Sequence, residues 1–164
     1  MSAATTVTDF PVDTSCWLCL EEGPDESGKP LVRDCSCRGS SGVAHISCIT
    51  NYAKSESRRI YERGDFEEGP AKCIRPFDRC PNCKQSYQND LSKTLAKVCM
   101  EFVESELDVD GNNEFLHMHA LVGQMSTLDS QDADDNVDAE AIASKFISAQ
   151  NRLKSKLDVV DGNE

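Results

Sequence analysis

Eight side chains that bind soft metal ions fall in four close pairs in the first half of the chain. Within each pair the two residues lie only two or three positions apart, so a turn can bring both ligand atoms to the same side. Thiolate sulfur and imidazole nitrogen are the ligands that zinc prefers, and a closed structural site needs four of them in a tetrahedron. Eight ligands therefore predict two zinc ions. The pairs are Cys16/Cys19, Cys35/Cys37, His45/Cys48 and Cys80/Cys83.

A disulfide framework and an iron–sulfur cluster are the alternatives for so many cysteines. Disulfides suit a secreted chain with an even cysteine count, whereas this chain has nine cysteines. Residues 1–12 carry neither a positively charged start nor an apolar run, so we expect no secretory signal. A histidine within four ordered pairs fits zinc better than an iron–sulfur cluster. Free thiols and zinc together predict a reducing compartment, the cytoplasm or the nucleus.

The order and spacing of the ligands resemble the RING-CH variant of the RING finger. In that family the fourth ligand is a cysteine and seven residues separate it from the histidine; here residues 38–44 are those seven. The segment CWLCLEEGPDESGKPLVRDCSCRGSSGVAHISC is similar to the first half of the family's domain, and CPNCKQSY is similar to its end. The PHD finger shares the ligand order, but it usually has a different spacing and an aromatic residue where this chain has Asp78.

The resemblance implies which ligands share a metal ion. In the RING arrangement the first and third pairs hold one zinc ion, and the second and fourth pairs hold the other. Site one would then be Cys16, Cys19, His45 and Cys48, and site two would be Cys35, Cys37, Cys80 and Cys83. The residues by themselves predict the ligands but leave this partition open.

The resemblance also implies a function, because RING domains bind a ubiquitin-conjugating enzyme that carries a ubiquitin thioester. The family's contact positions correspond here to Leu18, Tyr52, Pro81 and Lys84. Tyr52 replaces the tryptophan that is usual in RING-CH domains, and Lys84 replaces the arginine of active RINGs. A lysine offers a point charge in place of a bidentate guanidinium, so its effect is expected to be smaller. Each of the four has a structural alternative, such as filling a small core or shaping a zinc-binding turn.

The elements around these residues predict a small α+β zinc-bound RING cross-brace domain followed by an all-α extension of about three helices. We expect a disordered lead-in over residues 1–14, a RING-CH zinc finger over 15–88 with a long charged insertion at 54–72, and an acidic helical extension over 89–164. Within the zinc finger, Ile49, Tyr52, Ala53 and Ile60 lie near a 3.6-residue period from Ile46 onward, which predicts a helix that becomes a solvent-exposed loop. Three apolar stripes predict the three helices. They are Leu91, Leu95, Val98, Phe102, Val103; Phe115, Met118, Leu121, Val122, Met125; and Ile142, Phe146, Ala149, Leu153, Leu157, with Asp138 as the N-cap of the last.

The extension contains a short internal echo, LDVDGN at residues 107–112 and LDVVDGN at 157–163. This resembles the start of a tetratricopeptide-like array, and chance is the alternative. The turn at residues 108–113 (DVDGNN) suggests a calcium-binding EF-hand loop. Placing Gly111 at the sixth position of such a loop, however, puts His117 at the position of the bidentate glutamate ligand. His117 and His119 are interpreted as ordinary surface or edge residues. Cys73 is interpreted as a spare thiol and Cys99 as a small core residue, so no catalytic nucleophile is predicted.

The charge is −12 overall and unevenly distributed. Residues 1–90 hold 14 acidic and 11 basic side chains, and residues 91–164 hold 15 and 6. An acidic surface argues against nucleic acid as the main partner. No stretch approaches the ~18 consecutive apolar residues of a membrane span, so a soluble protein with no membrane partner is expected.

Three functions remain open on this basis. The first is a soluble ubiquitin ligase whose helical extension recruits a protein substrate. The second is a non-enzymatic zinc-binding adaptor in which the extension carries the interaction. The third is a PHD-like histone reader, which would need an aromatic cage built from Trp17, Tyr52, Tyr61 or Phe77.

Overall fold

The computed structural model describes residue 10, residues 13–64, residue 69 and residues 71–107, 113–128 and 133–161. Of residues 133–137 and 157–161 only the backbone is described. Most of the expected lead-in, part of the insertion at 54–72 and the turn at 108–112 therefore lie outside the described residues. The last residues of the second echo copy also lie outside them.

Five α-helices account for most of the described chain. A 3₁₀ turn at Gly39–Gly42 precedes α1 (Ile46–Glu62), and the remaining helices are α2 (Ala71–Asp78), α3 (Asn89–Phe102), α4 (Glu114–Met125) and α5 (Ala133–Asp161). A π-helical turn, Val103–Leu107, continues α3. The zinc-ligand region has β-structure only as three isolated antiparallel bridges, Ser15–Glu22, Val32–Ala44 and Arg79–Ser86, among the described residues.

Helix α1 follows directly from the third ligand pair because its apolar residues recur at helical spacing. Ile49, Ala53 and Ile60 are buried along one face, as the sequence predicts, together with Ser57. Tyr52, which belongs to the same predicted pattern, is half-buried at the edge of this face. The helix runs through Glu62, so the first part of the charged insertion is helical.

Helix α2 is an element that the sequence analysis did not predict. Cys73, Pro76 and Phe77 lie three and four positions apart, so they share one face, and all three are buried. This face packs between α1 and α3, with the rings of Phe77 and Phe102 5.8 Å apart. The segment before the seventh ligand therefore contributes to the core. Its buried Cys73 is the small side chain that packs there, near Cys99.

Helix α3 joins the zinc-ligand region to the helical extension. Gln88 donates its backbone N–H to the carbonyl of Asp34, and the Asn89 amide donates to the Asp34 carboxylate. Asp34 immediately precedes the ligand Cys35, so the start of α3 is tied to the second ligand pair. Leu91, Leu95 and Phe102 are fully buried, which confirms the first apolar stripe.

Helix α4 buries a different face from the one predicted. Leu116, Ala120 and Leu121 are buried, whereas Phe115, Val122 and Met125 are exposed. Of the predicted stripe only Leu121 is fully inside the core. The helix is apolar on two sides, so periodicity alone did not identify the buried one. His117 is also buried, contrary to the surface position expected for it, while His119 is exposed as expected.

Helix α5 begins at Ala133 and not after Asp138. Asp138 therefore lies within the helix, where its carboxylate pairs with Lys97 at 3.3 Å instead of capping the N-terminus. Ile142 and Ala149 are buried and Phe146 and Leu153 are half-buried, which agrees with the third stripe. The buried carboxylate of Glu114 holds α5 against the start of α4 through Arg152 at 3.1 Å and Lys156 at 3.4 Å.

Candidate zinc centres and the adjoining surface

The first and third ligand pairs come together at site one. The ligand atoms of Cys16, Cys19, His45 and Cys48 all lie within 4.8 Å of one another. His45 Nδ1 lies 3.4 Å from Cys19 Sγ and 3.6 Å from Cys48 Sγ. Zinc–sulfur bonds of about 2.3 Å and zinc–nitrogen bonds of about 2.0 Å in a tetrahedron separate the two ligand atoms by about 3.5 Å. The spacing of these donors therefore fits a single zinc ion.

Hydrogen bonds around site one hold the histidine in the form that binds metal. His45 Nε2 lies 2.9 Å from the carbonyl oxygen of Gly23 and donates its proton there, which leaves the Nδ1 lone pair directed at the cysteines. The Asp25 carboxylate organises the same loop, accepting from the N–H groups of Ser27 and Lys29 and from the Ser47 hydroxyl. These bonds, led by that of Lys29, lower the pKa of Asp25 to about 2.

The second and fourth ligand pairs come together at site two. The sulfur atoms of Cys35, Cys37, Cys80 and Cys83 lie within 4.8 Å of one another, and those of Cys37 and Cys80 are 3.7 Å apart. Two sulfurs on a tetrahedral zinc ion are expected about 3.8 Å apart. Together the two clusters confirm the interleaved partition of ligands that the resemblance implied. Cys73 and Cys99 belong to neither cluster.

Two matching turns supply the Cys-x-x-Cys pairs. In each, the residue after the second cysteine has a left-handed backbone, with φ 67° at Leu20 and 62° at Lys84. Its N–H donates back to the carbonyl of the first cysteine, and that cysteine's N–H donates to the carbonyl of Glu21 or Gln85. This geometry directs backbone N–H groups at the sulfurs. Short-range turn chemistry thus positions both pairs.

The zinc-binding turns lower the pKa values of some ligand cysteines, whereas burial and neighbouring thiols raise the pKa of others. Burial raises the pKa of Cys16, but the N–H groups of Cys19, His45 and Leu18 outweigh it and lower the pKa to about 7. The N–H of Gln85 is the main cause of a similar pKa of about 7 at Cys83. Burial and neighbouring thiols raise the pKa of Cys48 to about 12. The thiols of Cys16 and Cys83 therefore lose their protons near neutral pH. Ionising all the cysteine ligands of a cluster requires a bound cation, as in a zinc site.

The remaining cysteines lack the features of a nucleophile. Cys73 and Cys99 are both buried in the helical core. Burial, and then the neighbouring Cys73, raise the pKa of Cys99 to about 12, so its thiol stays protonated near neutral pH. Cys99 is therefore a core residue, as expected.

Three of the four residues expected to contact a conjugating enzyme line one surface cleft. Tyr52, Pro81 and Lys84 border an opening of about 350 Å³ between α1 and α2. Leu18 lies outside this lining and is half-buried on the first zinc-binding turn. Trp17 packs edge-on against Tyr52, with ring centroids 6.3 Å apart, so one aromatic contact joins the turn that carries Leu18 to the cleft.

The same cleft contains basic residues that the sequence analysis did not identify. Lys72, Arg75 and Arg79 also line it, on α2 and just after it. Their spacing of three and four residues was the available signal, because it places three cations on one face of a helix. Of the three, only Lys72 falls within the insertion expected at 54–72, and without a predicted α2 that spacing had no structural meaning.

The zinc-ligand region is similar to a known domain family and to several known proteins. A model of the RING-variant domain matches residues 16–63. The E3 ubiquitin-protein ligase MARCHF8 of Xenopus tropicalis is 36% identical over 78 residues, which are 46% of this chain and 28% of that protein. MARCHF5 of Xenopus laevis, also an E3 ubiquitin-protein ligase, is 29% identical over 76 residues, 46% of this chain and 22% of its own. Human MARCHF8 is 34% identical over 67 residues, 39% of this chain and 22% of its own.

These relatives match over about a quarter of their own length. No solved structure matches the chain. The matches and the two ligand clusters show a RING-variant domain with ligands for two zinc ions, followed by an all-helical part. The relatives that share this region are E3 ubiquitin-protein ligases. Across the described residues, none of the helices combines the length and apolar character needed to span a bilayer.

Proposed function

We propose that this protein is a RING-CH ubiquitin ligase that binds a ubiquitin-conjugating enzyme charged with ubiquitin and promotes transfer of ubiquitin to a protein substrate. The observation that carries the proposal is the arrangement around the two ligand clusters. Leu18 lies on the turn of site one, and Tyr52, Pro81 and Lys84 border a cleft that includes the turn of site two. Similarity to E3 ubiquitin-protein ligases over this region supports it.

The proposed mechanism is positioning, without a covalent intermediate on the ligase. Leu18 and Pro81 offer apolar contacts to the conjugating enzyme, and Tyr52, held by Trp17, extends that surface. Holding the charged enzyme in its reactive conformation accelerates attack by a substrate amine through proximity and orientation. The buried, high-pKa thiol of Cys99 is consistent with a ligase that uses no cysteine nucleophile of its own.

Lys84 is proposed to supply the positive charge that links the conjugating enzyme and ubiquitin. Its ammonium donates to the carbonyl of Pro81, and its side chain is exposed at the rim of the cleft. A lysine forms a less directional contact than arginine, so a lower activity than that of an arginine-bearing RING is expected. Lys84→Arg should therefore increase the rate of ubiquitin transfer.

Two zinc ions, held by the two four-residue clusters, would supply structural cross-links in place of a larger apolar core. The protein substrate is proposed to be recruited by the acidic helical extension, which packs against the ligand region through α2 and α3. The two cysteine-rich ligand clusters, which fit zinc, support a reducing compartment, the cytoplasm or the nucleus.

A zinc-binding adaptor without ligase activity is the second candidate. Tyr52 and Lys84, which depart from the family's usual tryptophan and arginine, are the observations that favour it. The histone-reader hypothesis is weaker, because one of its four cage candidates, Phe77, is buried against Phe102. A methyl-lysine cage needs aromatic faces that are open to the ligand.

The test is autoubiquitination of the purified chain with a panel of conjugating enzymes, with zinc content measured on the same samples. We expect two zinc ions per chain and ubiquitin chains with at least one enzyme. Leu18→Ala should abolish chain formation and retain both zinc ions, because its side chain is half-buried and is not a ligand. Val122→Ala, at an exposed apolar position on α4, is the matched control and should behave as wild type.

Two results would change the conclusion. Two zinc ions with no ubiquitin chains from any conjugating enzyme would favour the adaptor. Fewer than two zinc ions would contradict the assignment of the eight ligands.

A further inference from the structure

We propose that the exposed apolar face of α4 is the place where the helical extension binds its protein substrate, and that the bound segment is a basic amphipathic helix. The inference rests on the proposed ligase function and names the class of segment that the substrate carries. The α4 face is defined by four residues, which are Phe115, Met118, Val122 and Met125.

The α4 face is apolar and open to solvent. Phe115, Val122 and Met125 are 53%, 50% and 42% exposed, and Met118 is half-buried. Their spacing of three, four and three residues places them along one side of the helix. The other side packs against α2, α3 and α5, so the helix is already anchored in the core. Contiguous exposed apolar side chains on an anchored element are typical of an interaction surface.

The sequence around the α4 face carries charge of one sign. Residues 98–144 hold 12 acidic side chains and no lysine or arginine, and α4 lies in the middle of this segment. The residues outside the described ranges also include no lysine or arginine, so they cannot supply positive charge to this region. The sign of the charge therefore does not depend on where those residues lie.

The cations of the neighbouring helices are engaged by carboxylates of the extension itself. Lys97 on α3 pairs with Asp138 at 3.3 Å, and Lys145 on α5 pairs with Glu104 at 3.4 Å. Residues 91–164 hold 15 acidic against 6 basic side chains, so carboxylates remain in excess after such pairs form. A basic segment is therefore attracted to the extension, and the attraction weakens as salt is added.

The shape of the α4 face favours a helix as the bound segment. Phe115 and Met125 lie ten positions apart, so the face runs for about 15 Å along the helix axis. An amphipathic helix of about three turns can cover this length with apolar residues at the same spacing, while its lysines and arginines face the surrounding carboxylates. The charge and the apolar pattern thus point to the same kind of partner.

A second copy of this chain is a weaker candidate for the α4 face. Each copy has a charge of −12, so two copies repel each other. A stable dimer buries about 800 Å² on each partner, which is more than four partly exposed side chains of one helix supply. A basic partner meets neither obstacle.

The experiment measures binding of two model peptides to the full-length, zinc-loaded chain by fluorescence anisotropy. One peptide is an amphipathic helix of leucine and lysine, and the other has glutamate in place of every lysine. The variants are Phe115→Ser with Met125→Ser, and Val122→Lys. The matched control is Ile147→Ser, at a position that is 56% exposed on α5. Circular dichroism and zinc content verify that each variant is folded.

We expect wild type to bind the basic peptide at least about tenfold more tightly than the acidic peptide at low salt. Both α4 variants should bind the basic peptide about tenfold more weakly, because apolar contacts made on binding are lost, while Ile147→Ser binds as wild type. At 0.5 M salt the preference for the basic peptide should shrink to about twofold, because charges are screened. The loss caused by Phe115→Ser with Met125→Ser should persist there, since apolar burial is not screened.

A second measurement tests whether the α4 face delivers a substrate. A carrier protein with surface lysines is fused to the basic peptide and compared with the unfused carrier. Wild type should ubiquitinate the fusion about tenfold faster, because docking raises its effective concentration, whereas both α4 variants should treat the two carriers alike. Autoubiquitination needs no separate substrate, so it should be the same in wild type, in both α4 variants and in Ile147→Ser.

The outcomes separate this inference from the proposed function. Equal affinity for the two peptides, or equal weakening by Ile147→Ser, would overturn the inference and leave the ligase proposal intact. So would self-association of wild type that both α4 variants abolish, because the face would then bind a second copy. If the basic peptide binds at the α4 face but no conjugating enzyme supports autoubiquitination, the proposed function fails and the docking surface stands without a ligase role.

Discussion

The imidazole of His45 is oriented by residues that do not bind metal. Its Nε2 atom donates to Gly23, and Asp25 fixes the loop on which Gly23 lies by accepting from Ser27, Lys29 and Ser47. Such outer contacts position a ligand and typically change metal affinity about 10–100-fold when removed. Asp25 is therefore a positioning residue for site one.

Asp25→Ala should weaken zinc binding at site one about tenfold or more, because the loop loses its anchor and the Gly23 carbonyl no longer holds His45. Competition with a chromogenic chelator measures the affinity. Since the pKa of Asp25 is held at about 2, the carboxylate is ionised throughout the range from pH 5 to 8, and the effect of the variant should be constant there. Glu26→Ala, in the same loop, is the control. Equal zinc affinities of the two variants would contradict the role given to Asp25.

Gly42 is required by a close approach between two chain segments. A Cβ atom there would lie 2.8 Å from the Cβ of Cys37 and 3.1 Å from its carbonyl oxygen. Gly42→Ala should displace Cys37 and release zinc from site two at lower chelator concentration. Gly123→Ala adds the same methyl group where nothing lies within 4 Å, so it should leave zinc binding unchanged. Wild-type zinc affinity in Gly42→Ala would show that the ligand turn can shift without cost.

At the scale of elements, α1 is joined to the end of α3 by both charge and core packing. Lys54 and Arg58 pair with Glu106, and their cationic groups lie 5.5 Å and 5.4 Å from the centre of the Phe102 ring. The ion pairs are partly exposed, whereas Phe102 is fully buried and also contacts Phe77. Core packing therefore dominates this junction.

Phe102→Ala should reduce the free energy of unfolding by about 3–5 kcal/mol, because it removes a large buried ring and leaves a cavity. Glu106→Gln should reduce it by less than about 1 kcal/mol, since exposed pairs contribute little. Urea unfolding of the zinc-loaded protein, followed by circular dichroism, measures both values. A larger loss for Glu106→Gln than for Phe102→Ala would reverse the assignment of what holds the two helices together.

The elements also show why a local pattern does not always identify a buried face. On α4 both Leu116 and Phe115 satisfy a helical apolar pattern, yet only Leu116 is buried, because α3 and α5 cover that side. On α5 Asp138 has the residue type of an N-cap but lies inside a longer helix, where it pairs with Lys97. In each case a contact with another helix determines which side chain is buried or paired.

At the scale of the whole molecule, the zinc-ligand region and the helical extension share one continuous core. Buried residues run from Leu31 and Val43 near the ligands, through Phe77 on α2, to Leu95 and Leu121 in the extension. Small domains with few apolar residues depend on metal for stability, because apparent zinc-binding free energies of about 10 kcal/mol or more add directly to folding. In this chain the effect should extend beyond the ligand region.

Removal of zinc with a strong chelator should therefore lower the thermal midpoint of the helical signal and also abolish the near-ultraviolet signal of Trp17. The physical reason is that α1 follows the ligand His45 directly and packs on α2, which packs on α3 and α4. Thermal scans before and after chelation, with zinc content measured, test this. An unchanged helical midpoint after complete zinc removal would mean that the extension folds independently of the ligand region.

Residue types and short spacings alone predict the eight ligands, the likeness to RING-CH domains, and the helices α1, α3 and most of α5. These features depend on residue type and short spacing, since ligand chemistry, tight turns and amphipathic periodicity are local properties. The residues expected to contact a conjugating enzyme were also named from the sequence, and their role remains a prediction.

The packing of distant segments establishes which ligand pairs share a site, that residues 71–78 form a helix, and that Lys72, Arg75 and Arg79 border the same cleft as Tyr52. It likewise decided which side of α4 is buried and why Gly42 must lack a side chain. All of these depend on contacts between segments far apart in the chain. Local propensity does not predict such contacts, because burial is a property of the packed molecule.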